Sequence, residues 1–113
     1  MREKFLEISD IGQTYLIDIL LFFYVPRVFV IENDNHEMFL LYEWTDDYSW
    51  FATQINKKEH EGLLNKKMSI QNAFIGKGAF VVRANDRDTC DVEKADSSIL
   101  LNMLPLEPIY KED

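Results

Sequence analysis

The sequence predicts an α+β fold: a mainly antiparallel sheet, a meander of about five strands, with one or two short helices packed on one side. Three observations carry that expectation. Apolar residues alternate with period two through "RVFVIE", "MFLLYEW" and "SWFATQI", the spacing that sends successive side chains to opposite faces of a strand. The joins between these stretches are short and rich in Asn and Asp, as turns between antiparallel neighbours are. After Asn56 the pattern shifts to a helical one, "NKKEHEGLLNKK".

Taken in order, the opening "MREKFLEISD" is charged and lacks an apolar stretch followed by a small-residue cleavage site, so no signal peptide is expected. The strongest apolar run is "YLIDILLFFYV", Tyr15 to Val25. Eleven residues with Asp18 among them are too few and too polar to span a membrane, so the run reads as a core element. Its β-branched and aromatic content favours an extended element, while its length also permits a buried helix. Pro26 disfavours helix at Val25 and breaks any ladder there. In the strand that follows, Val28, Val30 and Glu32 share one face and Phe29 and Ile31 the other.

"NDNHE", Asn33 to Glu37, is a turn, and two further strands flank "DD". Asn56 with Glu59 three residues on forms a capping box for a short helix that buries Leu63 and Leu64. Ser69 caps a second helical turn, "IQNAF", which Gly76 and Gly78 terminate. "AFVVRA" is a strand, "NDRDTCD" a polar turn, and "SSILLNML" a strand or short helix before Pro105 and Pro108. No internal repeat or linker composition divides the chain, so residues 1–113 are expected to form a single domain.

The formal charge of −8 is uneven. Residues 1–56 hold ten acids against three bases, residues 57–77 five lysines against two glutamates, and residues 78–113 eight acids against four bases. Such a surface repels phosphate backbones and favours a basic protein partner. The sole cysteine, Cys90, forms no intrachain disulfide, and no Cys/His spacing suits zinc, so a reducing cytoplasm is the expected compartment. No cofactor is implied.

Several residues together resemble a small bacterial domain family of unknown function. They are Pro26-Arg27-Val28-Phe29 at the start of a strand, Tyr42 in the next, Trp50, Ser69-Ile70 leading into Asn72-Ala73-Phe74, and Leu104-Pro105. The resemblance implies a bacterial or phage origin and an α+β sheet domain. It supplies no catalytic residues.

The richest candidate site is "YEWTDDYSWF". With Asp46-Asp47 at the centre of a two-residue turn, Glu43 faces Trp50 and Tyr42 faces Phe51; because neither Asp is Gly, a wider loop built on a type I turn also fits. Tyr42, Trp44 and Phe51 then line one side, and Glu43 and Trp50 the other. The stretch reads as a hairpin tip suited to contact rather than a catalytic acid pair. The acidic run "NDRDTCDVEKAD" invites a calcium reading, but a loop begun at Asp86 places Cys90 fifth, Asp91 where glycine is required and Ser97 at the closing Glu. His36, His60 and Cys90 nominally allow a Cys–His pair, without any supporting motif. "GKG" lacks the further glycine of a dinucleotide loop. Lys57, Lys58, Lys66 and Lys67 bracket the first helix as a solvated face, and Arg27 is placed to pair with Glu32 or Glu43.

The expected function is therefore a non-enzymatic, acidic protein-interaction module: an accessory subunit or an inhibitor of the antitoxin, immunity or anti-phage-defence type, binding a larger protein. Trp44, Tyr48 and Trp50 would anchor the contact, with Asp46, Asp47, Asp86, Asp88 and Asp91 as its acidic rim. Two alternatives stand beside it: a nucleic-acid mimic, and a small metal-dependent hydrolase using Asp86, Asp88 and Asp91. Self-association is compatible with all three.

Overall fold

The computed structural model describes residues 3–45, 48–75, 78–85 and 89–95. In chain order these form β1 (Lys4–Ile8), β2 (Gly12–Phe23), β3 (Val25–Asn33), β4 (Met38–Thr45), β5 (Ser49–Ile55), α1 (Lys57–Leu64), α2 (Ile70–Phe74), β6 (Ala79–Ala84) and β7 (Cys90–Lys94). Each strand pairs antiparallel with the next, and β7 returns to β1 to close a seven-stranded barrel. An odd number of alternating strands forces the closing pair to be parallel. That seam is held where Ile8 lies opposite Cys90 and the Ser9 amide donates to the Cys90 carbonyl at 2.9 Å.

The barrel corrects the expectation of an open α+β sheet of about five strands with helices to one side. Three features hid it. β1 and β7 are short and mostly exposed or half-buried, so neither carries an apolar rhythm that marks a strand. β7 also begins at Cys90, inside the segment read as a polar turn. β2 shifts register against β3 at three places, and these irregularities erase its period-two pattern while bending it around the barrel. The run from Tyr15 is thus strand up to Phe23, and Pro26 sits inside β3, opposite Phe22. Near the end of the hairpin the missing amide hydrogen of proline costs little.

The wall has two apolar layers. Ile8, Phe29, Ile31, Phe39, Leu41, Trp50, Ala52, Val82 and Cys90 form one cluster. Strands as far apart as β1, β4 and β7 meet in it, which only the lumen of the barrel permits. Within it Phe29 stands edge-on to Phe5 and to Trp50, with ring centroids 5.2 and 6.0 Å apart. Such T-shaped pairs align ring edge with ring face. The alternate residues, Val28, Val30, Leu40, Phe51, Ile55 and Val81, point outward and are covered by Leu63 of α1 and by Ile70, Ala73 and Phe74 of α2.

The helices are anchored by the caps the sequence predicts. Asn56 Oδ1 accepts from the Glu59 amide at 2.8 Å, and Glu59 Oε1 accepts from the Asn56 amide at 3.0 Å. Ser69 Oγ accepts from the Asn72 amide at 3.1 Å. Of the leucine pair only Leu63 is buried, because Leu64 turns to solvent. His60 reaches from α1 to Asp18 of β2 at 2.6 Å and ties the helix to the outside of the wall.

Two buried polar residues fix the turns. Asn33 donates to the Ile11 carbonyl at 3.1 Å and to Glu37 Oε1 at 2.9 Å, and its Oδ1 accepts from the amides of Asn35 and Glu37. Thr14 Oγ1 both accepts from the Leu6 amide and donates to the Leu6 carbonyl, spanning the irregularity where β1 leaves the register of β2. No helix among the described residues is long and apolar enough to cross a membrane.

Phe29 is fully buried at the centre of the lumen. Phe29→Ala is expected to lower unfolding free energy by about 3–5 kcal/mol, since it removes both edge-to-face contacts and leaves a cavity. Urea denaturation checks this, with an unchanged midpoint as the contrary outcome.

Candidate functional site

The turns that end β2, β4 and β6 lie at the same end of an up-and-down barrel, and this end carries the candidate site. Strand parity decides its lining. Phe29 and Leu41 face the lumen, so Arg27 and Glu43, each two residues further towards the mouth, face it too. Val28 pairs with Tyr42, so one step further along the ladder sets Arg27 across from Glu43. Arg27 Nη1 donates to Glu43 Oε1. Their side chains are 25% and 15% exposed, so the pair is neither a free surface bridge nor a fully desolvated one. Of the two partners the sequence allows Arg27, the structure selects Glu43. Glu32 lies on the outer face.

Glu43 pairs in register with Trp50, as the sequence predicts, and Phe51 pairs with Tyr42 on the opposite face. Beyond this point the register follows the wider connection: a shift between Glu43 and Thr45 brings Thr45 opposite Ser49, where a two-residue turn would pair it with Tyr48. Tyr48 takes φ 57°, the left-handed position such connections require. The Tyr48 carbonyl accepts from the Ala84 amide at 3.0 Å, which draws the β6–β7 turn alongside.

Phe5, Leu6, Pro26, Arg27, Glu43, Tyr48 and Trp50 line a cavity of about 470 Å³ at this mouth. That is a size that holds a small molecule or an inserted side chain. Trp50 is only 6% exposed, and its indole N–H has no hydrogen-bond partner among the described residues. A buried donor left unpaired costs about 1–3 kcal/mol.

The expected contact residues divide. Tyr48 is 65% exposed at the lip, whereas Trp50 faces the lumen and is a cavity wall instead of an outward anchor. The side chain of Trp44, and Asp46, Asp47, Asp86 and Asp88 altogether, lie outside the described residues, as do Gly76, Lys77 and the "SSILLNML" segment. Asp91 is exposed and accepts from Asn85 Nδ2 at 3.1 Å. The structure adds two lip residues that sequence reasoning missed, Phe22 and Tyr24, 60% and 84% exposed. They lie at the end of the apolar run assigned to the core, and only the position of the hairpin turn places them outside. Tyr24 stands at the reversal with φ 66°.

The nominal Cys–His pair is not assembled. Cys90 lies in the lumen cluster, His60 is held against Asp18 outside the wall, and His36 is exposed in the β3–β4 turn. Burial, and secondarily the charge of Asp91, push the Cys90 thiol above its usual range. Among the described residues no three His, Cys, Asp or Glu side chains gather where they could hold a metal ion.

Fold and cavity thus define a small closed barrel with an aromatic-lipped mouth. No protein-family model, curated protein or solved structure matches the chain.

Two outcomes are expected from these contacts. Arg27→Met is expected to cost about 1–3 kcal/mol by stranding the half-buried Glu43 carboxylate, and R27M/E43L to recover at least half of that in urea denaturation. Native Cys90 is expected to react with Ellman's reagent at least about tenfold more slowly than in denaturant, because the thiol is both buried and slow to ionise. Equal rates would contradict its position in the lumen.

Proposed function

We propose that this chain is a non-enzymatic binding module that engages a larger protein through the mouth of its barrel, acting as an accessory subunit or an inhibitor. One observation carries the reading: Tyr24 and Tyr48 present their rings to solvent from left-handed backbone positions, with exposed Phe22 beside the first. A bulky residue at positive φ costs about 1 kcal/mol relative to Asn or Gly. Exposed aromatic side chains at such turns suit a partner, because large, stiff aromatic rings are the usual anchors of contact surfaces. The formal charge of −8 supports a partner with a basic surface, which the acidic protein would steer into place.

The test separates stability from binding. The variant F22S/Y24N/Y48N removes the aromatic lip and puts Asn, which tolerates positive φ, at both turns. Its melting temperature is expected to equal or exceed that of the parent. Its capture of partner proteins from the native host, compared quantitatively with the parent, is expected to fall at least tenfold. A variant that retains the same captured proteins at parental levels would remove the mouth as the contact surface.

A further inference from the structure

We propose that the mouth cavity receives one large, uncharged, apolar side chain of the protein partner, carried on a basic segment of that partner.

Most of what the lining offers an occupant is carbon. Trp50 brings its side chain to the cavity wall, but its indole nitrogen has no solvent-accessible surface. That nitrogen is the only polar atom of the side chain, so all that Trp50 shows the cavity is carbon. Leu6 adds an aliphatic side chain, and its backbone groups are already engaged. Its amide donates to Thr14 Oγ1 at 3.2 Å, and its carbonyl accepts from Thr14 Oγ1 at 2.6 Å and from Gln13 Nε2 at 3.4 Å. Pro26 has no amide hydrogen to give, and Phe5 supplies a further ring. Such walls reward apolar surface, and a volume of about 470 Å³ has room for a ring rather than a methyl group.

The charged members of the lining select against a charged tip. Arg27 and Glu43 bond to each other and are both largely shielded from water. A cationic tip would draw Glu43 from Arg27, and an anionic tip would draw Arg27 from Glu43. Either breaks a half-buried pair, which an uncharged side chain leaves intact.

Charge also selects the segment around that side chain. The lining pair sums to zero, whereas the whole protein carries −8, so flanking lysine or arginine is attracted and flanking carboxylate repelled. The site rests on the contact function proposed for the mouth and supplies its converse: Phe22 and Tyr24 reach outward from the lip, and a side chain of the partner reaches in.

The experiment titrates the full chain, labelled with nitrogen-15, with three capped tripeptides: lysine-phenylalanine-lysine, lysine-alanine-lysine and glutamate-phenylalanine-glutamate. The first is expected to shift the backbone amides of Phe5, Leu6 and Tyr48. It is also expected to bind at least tenfold more tightly than either of the others at low salt. L6W, which fills the cavity, is expected to weaken binding of the first peptide at least tenfold while its spectrum stays dispersed. If L6W does not fold, the selectivity of the parent alone decides. F22S/Y24N alters only lip residues outside the lining and is expected to bind the first peptide as the parent does, so loss of partner capture and loss of the cavity site are separately visible. The proposal is overturned if lysine-phenylalanine-lysine at millimolar concentration leaves those three amides unmoved, or if the alanine or the glutamate peptide binds as tightly.

Discussion

The wall made by β3, β4 and β5 is buried on both faces, and the rest of the molecule follows from that requirement. Residues at alternate positions of these strands fill either the lumen or the layer beneath the helices. A sheet apolar on both sides cannot stand alone in water. The inner face is covered by curling the sheet onto itself, which brings β1 and β7 together at Ile8 and Cys90. The outer face is covered by α1 and α2, whose caps and His60–Asp18 contact hold them in place. Closure also shortens the free edges along which sheets aggregate, through the pairing of Ile8 with Cys90.

The mouth is where this arrangement stops being purely structural. The lumen cluster ends at Phe5, Phe29 and Trp50, and the next lumen-facing positions on β3 and β4 carry Arg27 and Glu43 instead of further apolar residues. A charged pair at the end of an apolar stack stabilises the barrel less than two more hydrophobic side chains would, since its desolvation offsets much of its attraction. It leaves a cavity with a polar wall, an indole N–H without a partner among the described residues and a lip of exposed aromatics. Two of the five non-glycine residues at positive φ among the described residues, Tyr24 and Tyr48, lie at this end, while Asp10, His36 and Lys66 lie elsewhere.

Much of the local structure was legible in the residues. The alternation through β3, β4 and β5 gave their faces and the pairing of Glu43 with Trp50, and Asn56–Glu59 and Ser69 gave the starts of both helices. Arg27 stood out as a charge among apolar strand residues, with Glu43 named as one partner. The cavity was not legible, because Phe5, Leu6, Pro26 and Trp50 come from three different strands whose approach depends on closure. Phe22 and Tyr24 were absorbed into an apolar run, since only the point of chain reversal tells an exposed hairpin tip from the core strand leading to it.

By itself, the sequence determined the period-two strands, their antiparallel order through β3, β4 and β5, the helix caps and the acidic charge, because each of these depends on neighbours within a few positions. Only the tertiary structure decided that the sheet is a barrel, that Trp50 lines a cavity, and that the aromatic lip is built from two separate hairpins. The physical reason is that a strand buried on both faces reads the same whether its second face meets a helix or the far wall of its own sheet. What distinguishes them is the bending of β2 and the single parallel seam between β1 and β7, and neither leaves a periodic mark in the residues.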